Sequence, residues 1–281
     1  MTNEAKDRLY SHLSMLARVR DPYIATAGHF FVQQYIRAEF QQWGEVTYHE
    51  FYVRGGIHKN LILNLPSRNN NLSPPILIAA HYDAVPGTIG ADDNASGVAV
   101  LLELARAFAA EPPKSPIRLV AFDLEEYGLL GSTAYAEHLK QIGEPLRLML
   151  SLEMLGYCDR AANSQRYPAG LQYFYPNRGD FIALIGNFTS ILDLLRLSHR
   201  IRRAKAPCQW LPVPQQGKSV PATRLSDHAP FWDRGYRAIM VTDTAFLRNP
   251  HYHQPSDRIE TLDLDFMANV CQGLIDGIRR L

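Results

Sequence analysis

Four short, nearly unbroken apolar runs constrain this 281-residue chain more than any other feature. They lie at residues 76–80, 117–122, 147–152 and 238–242, with helix-length segments between them. A run of five or six residues without polar alternation is what a strand buried on both faces needs. Such strands, alternating with helices, predict a mixed, largely parallel central sheet covered by helices on both sides.

The remaining periodicities fit that plan. Residues 5–18 and 24–43 read as helices; the second carries Phe30, Phe31, Tyr35, Ile36 and Phe40 at helical spacing and closes at Trp43-Gly44. Residues 46–53 alternate as a strand, 59–65 as its partner in a hairpin or meander, and 68–75 as a polar surface turn. Further helices are expected over 96–110, 132–142, 190–205 and 264–280, and a further strand over 181–186. Residues 157–179 and 206–224 read as long loops, which in a compact domain mark the rims of a binding site. Without a repeat or linker to divide it, the expectation is one α/β domain over residues 1–281.

Composition bounds the partners. A net charge of +1, with no basic stripe or acidic tail, argues against nucleic acid and anionic membrane. Cys158, Cys208 and Cys271 are too widely spaced for a disulfide framework or a thiolate metal site. The N-terminal MTNEAKDRLYSHLSML lacks a signal peptide's apolar core, and no run reaches bilayer-spanning length. With Met1 as the start the expected location is cytoplasmic, a secreted mature form being the alternative.

Chemistry gathers where the apolar runs end. His81-Tyr82-Asp83 follows the first run, at the strand end where open α/β sheets bind ligands. Asp83, two residues on, can accept the imidazole's second N–H and fix its tautomer; a hydrogen-bonded core histidine is the plainer reading. Gly90-Ala91-Asp92-Asp93-Asn94-Ala95-Ser96-Gly97 precedes a helix, so one acid could be a cap. Consecutive acids among small residues exceed what a cap needs, and a carboxylate has two oxygens to bridge two ions. Glu125-Glu126 ends the second run, where Gly128 and Gly131 break the strand so that both side chains can serve one site. One could bind metal while the other takes a proton from metal-bound water; a solvated acidic turn is the alternative. Glu153 closes the third run, and burying it unpaired among apolar neighbours would be costly. His253 follows the fourth run, with Tyr252 or Asp257 to hold it and His251 as a competitor; an ordinary surface histidine is the alternative. Separately each has a plain explanation, but all fall at the same end of successive buried strands. Imidazole and carboxylate donors suit zinc, with manganese or cobalt as substitutes.

The segments HYDAVPG, GADDNASG, FDLEEYGLLGS, LEMLGY, SDHAPFW and NPHYHQPSD, in this order, resemble the co-catalytic di-zinc aminopeptidases of peptidase family M28. The likeness is to the bacterial leucyl aminopeptidase type, whose zinc-exopeptidase fold also forms the catalytic domain of glutamate carboxypeptidase II, and it spans residues 20–275. It implies two zinc ions bridged by Asp93, with His81 and Glu153 completing one site and Glu126 and His253 the other. Glu125 would be the general base, Asp83 the partner of His81, and the Asp93–Asn94 peptide cis. The resemblance departs in two places. Many members have Asp at the position of Glu153. The tyrosine that some carry just ahead of Ser-Asp-His is missing before Ser226-Asp227-His228, which leaves the group that polarises the carbonyl open. Asp227 and His228 read as supports behind the ligands or as helix caps.

The expected function is zinc-dependent aminopeptidase action on the N-terminal bond of peptides, through water held between the two zincs with Glu125 as base. A glutaminyl cyclase-like acyltransferase and a non-catalytic peptidase-like scaffold are the rivals. Phe231, Phe246, Tyr252 and Tyr173-Phe174-Tyr175 could line an apolar pocket or pack in the core.

Overall fold

The structure, a computed structural model, describes residues 3–69 and 72–281. One eight-stranded sheet runs through it, in the order β1-β2-β4-β3-β5-β8-β6-β7. The four central strands, β4 (Ile117–Phe122), β3 (Ile76–His81), β5 (Leu148–Glu153) and β8 (Ala238–Thr242), are the four apolar runs, and they lie parallel. β1 (Val46–Val53) and β2 (Gly56–Leu65) form an antiparallel hairpin joined to β4. At the other side β6 (Ile182–Asn187) runs antiparallel to β8 and carries β7 (Cys208–Val213) in parallel.

Alternation within the strands divides the core in two. Ile76, Ile78 and Ala80 face a cluster built with α1 (Asn3–Leu16), α2 (Thr26–Gln41), α3 (Gly97–Ala110), α5 (Ile191–Arg203) and α7 (Leu264–Ile278). Leu77 and Ala79 face the smaller cluster of α4 (Leu130–Gln141) and α6 (His228–Asp233). With both faces covered, the strands need no polar positions, and each buried Leu or Ile contributes about 1.5–3 kcal/mol. No helix among the described residues is long and apolar enough to cross a membrane.

The sequence expectations need correction at several points. The loop expected over 206–224 contains β7, whose polar Gln209 and Pro212 hide it; at the sheet edge a proline costs no ladder bond. α6 went unread because six residues containing Pro230 carry no helical period. In α2 the buried face is Val32, Ile36 and Phe40, while Phe30 and Phe31 point outward, Phe31 beneath the Arg18 guanidinium. The turn expected over 68–75 includes residues 70 and 71, which lie outside the described residues.

α1 is pinned to α3 through Glu103, which is buried and faces Arg8, Arg106 and His12. Burial works against the Glu103 carboxylate, but His12, Arg106 and Arg8 outweigh it and pull its pKa from 4.5 down to about 2. A lowered folded-state pKa gives stability that is complete above the unfolded value and is lost as pH falls through the folded one. Glu103→Gln should therefore lower stability at neutral pH by on the order of 3 kcal/mol. In denaturant titrations the gap between parent and variant should close as pH falls from about 4.5 to about 2. A gap independent of pH would show that the charge on Glu103 is not what docks α1.

Candidate metal centre

Because β4, β3, β5 and β8 are parallel, their carboxyl ends share one edge of the sheet. His81 is the last residue of β3 and Glu153 the last of β5. Asp93 sits in the irregular turn Ala91–Ser96 between β3 and α3, where the Asp93–Asn94 peptide is cis. Glu125 and Glu126 follow β4, and His253 lies in the loop beyond β8. All six converge on that edge.

Asp93 stands at the middle. Its Oδ1 is 3.3 Å from His81 Nε2, and its Oδ2 is 3.1 Å from His253 Nε2, so the two imidazoles approach opposite oxygens of one carboxylate. Glu153 Oε1 lies 3.6 Å from His81 Nε2, and Glu126 Oε2 lies 3.3 Å from His253 Nε2. Donor atoms of His81, Asp93 and Glu153 fall within 4.8 Å of one another, as do those of Asp93, Glu126 and His253. Glu125 joins from the side, its Oε2 3.9 Å from His81 Nε2. Both ring nitrogens of His81 and Glu126 Oε1 are buried without a hydrogen-bond partner among the described residues. Buried polar atoms are rarely left so, and imidazole with carboxylate is the donor set that zinc takes. The residues fit the ion.

The surrounding turns are tied down by carboxylates that accept backbone N–H groups. Asp83 lies 3.4 Å from His81 Nδ1, and its two oxygens also take the N–H groups of Glu125 and Glu126, each at 3.1 Å. Asp257 does the same for Asp92 and Asp93 at 2.9 and 3.1 Å, so it holds the Asp93 turn and not His253. His253 is backed by Tyr252, whose ring stacks on the imidazole with 3.7 Å between centroids. His251 turns away to Ser256. Ser226 donates to Glu153 at 2.7 Å, while His228 is held on the Thr223 carbonyl. Asp227, also buried, opens α6 without capping it. The strand break that frees the glutamate pair comes ahead of it, at Leu124 with φ 57°, and not at the glycines that follow. Gly131 serves otherwise: a Cβ there would stand 2.2 Å from the Asp123 carbonyl.

Crowding of like charges governs the electrostatics. Burial, with Glu153 and Glu126 adding to it, pushes Glu125 well above the usual carboxylate range against the pull of His81. Burial and the charge of Asp93 lift Glu126 to about 7, and burial does the same for Asp227. Burial disfavours charge on the histidines, yet the carboxylates prevail: His81 is raised well above its ordinary value and His253 to about 10. Burial opposes ionisation of Asp93 as well, but the two imidazoles hold it below its usual value.

Sequence reasoning missed Arg20. It is almost wholly buried between α1 and α2, and donates to the carbonyls of Tyr82 (2.9 Å), Gly90 (2.9 Å), Asp93 (3.2 Å) and Ile89. It thus staples the loop from His81 to Asp93 and faces the acidic cluster with a fixed positive charge. Gly90 makes room for it, with φ 50° and no space for a Cβ, which would lie 2.1 Å from the Asp93 carbonyl. Since every one of these partners is a backbone carbonyl, no side-chain motif signals the role.

Comparison with known proteins bears on this geometry. The profile described as Peptidase family M28 matches residues 60–276. An Escherichia coli protein named Uncharacterized protein YfbL is 38% identical over 256 residues, covering 86% of this chain and 77% of its own. Aminopeptidase YwaD of Bacillus subtilis is 31% identical over 204 residues, covering 71% of this chain, which spans only 39% of that longer protein. Among solved structures, the Legionella pneumophila LapA aminopeptidase superposes with a TM-score of 0.71 over 98% of this chain and 73% of its own; at 18% identity that likeness is one of fold.

Removing the Arg20 staple should unfold the loop it holds. Arg20→Met leaves at least three buried carbonyls unpaired, each costing about 1–3 kcal/mol. A loss of at least about 3 kcal/mol is expected in urea denaturation; a change within about 0.5 kcal/mol, typical of a neutral surface substitution, would refute the role.

Proposed function

The chain belongs to peptidase family M28 and is a hydrolase acting on peptide bonds, and from that premise we propose that it is a zinc-dependent aminopeptidase using two zinc ions. The observation that carries the reading is the approach of His81 and His253 to opposite oxygens of Asp93. Asp93 would bridge, with His81 and Glu153 completing one ion's ligands and Glu126 and His253 the other's. Bound zinc would supply Lewis acidity to the scissile carbonyl and to the attacking water. The unbroken order of the sheet from β1 to β7 supports treating residues 1–281 as one zinc peptidase domain.

The chain's own residues provide the proton path. Glu125 lies beside His81, and its pKa, raised above the usual carboxylate range by burial and by the neighbouring glutamates, makes it a stronger base that can take a proton and give it back. It would remove a proton from the attacking water as the new carbon–oxygen bond forms. It would then deliver that proton to the peptide nitrogen as the carbon–nitrogen bond breaks. Asp83 keeps Glu125 and Glu126 aimed by holding both of their N–H groups. Tyr252 lies against His253, and burial together with the charge of Asp93 raises its phenol pKa, so its hydroxyl stays a donor for the charge that develops on the carbonyl oxygen.

Aminopeptidase action is supported by YwaD, and an apolar pocket agrees with it. Tyr167, Leu171, Tyr175, Phe181 and Trp210 line that pocket, whereas Tyr173 and Phe174 are exposed and Phe231 is in the core. Its Ala183 pairs with Thr242, and Thr242 pairs with Glu153. Two strand spacings, about 10 Å, therefore separate it from the centre. The pocket would receive an apolar first side chain of a peptide.

Glu125→Gln should keep its zinc and lose about 10²–10⁴-fold in kcat on leucine anilide, the range of a missing general base. Undiminished hydrolysis would refute the role. The parent should leave N-blocked peptides uncut; cyclisation of an N-terminal glutamine in preference to anilide release would favour the acyltransferase rival.

A further inference from the structure

A second carboxylate in this molecule also lies between two imidazoles. Asp123 is fully buried just beyond β4, two residues before Glu125. His29 Nε2, from α2, reaches its Oδ1 at 2.7 Å, and His58 Nδ1, from β2, reaches its Oδ2 at 3.0 Å. These are direct hydrogen bonds, shorter than the 3.1 and 3.3 Å at Asp93. Among the described residues, the ligand atoms of these three do not gather closely enough to share one ion. It is closed on itself, and its purpose must be sought in what it holds.

What it holds is the turn that presents the glutamate pair. Leu124 adopts φ 57°, a left-handed conformation that costs a residue with a Cβ about 1–2 kcal/mol. Asp123 stabilises it by accepting the Leu124 N–H at 3.0 Å on the same oxygen that His29 engages. The backbone of Asp123 is fixed too, its N–H on Asn60 and its carbonyl under the Gly131 N–H, each at 3.1 Å. The histidines reach the far side of the turn through rings. His58 meets Tyr23 edge-on, and Tyr23 meets Tyr127, the residue after Glu126. His29 packs on Tyr82, the residue after His81. Asp83 therefore grips the pair from the metal side, and Asp123 grips the same turn from the side of α2 and β2.

We propose that His29, His58 and Asp123 form a positioning clamp that aims Glu125, so that α2 and β2 act on turnover without touching substrate or metal. The clamp rests on the reading of Glu125 as general base. Displacing a reacting group by about 1 Å can cost about 100-fold in rate, which is the lever such a clamp commands.

The test measures anilide hydrolysis, zinc content and thermal unfolding for His29→Leu and His58→Leu. Beside them stand His29→Gln, whose amide can replace Nε2, and His58→Asn, whose amide can replace Nδ1. The leucine variants should lose about 10–100-fold in kcat, with KM and zinc content as in the parent, and the amide variants should recover most of the loss. A folded leucine variant with unchanged kcat overturns the clamp. So does a loss of kcat that tracks loss of zinc, or one that the amides do not relieve. Should a leucine variant fail to fold, His29→Asn, polar but one bond too short to reach Asp123, replaces it under the same expectations. Full activity in Glu125→Gln would instead remove the premise, an outcome separate from all of these.

Discussion

Asp93, Glu125, Glu126 and Glu153 are withdrawn from water together at one edge of a sheet, and their mutual repulsion sets the terms for the rest of the molecule. Buried carboxylates are tolerated only when paired and hydrogen-bonded. Part of the compensation is visible in the chain itself: His81 and His253 lie among the acids, and Arg20 is buried beneath them. Two divalent ions would supply the remainder. The parallel order of β4, β3, β5 and β8 makes the crowding possible, because it brings four strand ends to one place with no side chain crossing the core.

The fold holds this arrangement through its turns. Asp83, Asp257 and Asp123 each accept backbone N–H groups from the segment that carries a site residue. Asn94 and Ser96 add side-chain bonds between the Asp93 turn and the residues on either side of Glu153, to the Leu152 carbonyl and from the Leu155 N–H. Acids thus play two distinct parts here. Those satisfied by the backbone fix geometry, and those left facing one another do the chemistry proposed above. Asp93 and Asp123 make the distinction sharp: each has an imidazole at either oxygen, but of the two, among the described residues, Asp93 alone joins further carboxylates in a group that could hold an ion.

Much of this was legible in the sequence, for physical reasons. The four central strands announced themselves because burial on both faces excludes polar residues. The site residues stood out because a charged or imidazole side chain at the end of such a run needs a reason to be there. Their convergence follows from strand direction, which sequence alone cannot display but which alternation with helices implies. The misses share another cause. Arg20 and Asp123 act through backbone partners and through residues distant in the chain, so neither has a local pattern. β7 and α6 are short, interrupted by proline, and half-covered or brief enough to escape any periodicity. Asp83 lies beside His81 as expected, and what the sequence did not display is its second part, holding the Glu125 and Glu126 N–H groups beyond the left-handed Leu124.

The central claim is that a single carboxylate, Asp93, joins two cation sites. Zinc titration of the metal-free protein by calorimetry, with metal analysis of the product, tests it most directly. Two ions per chain are expected for the parent, and Asp93→Asn should weaken both. Uptake of one ion, or two ions bound undiminished by Asp93→Asn, would contradict the claim.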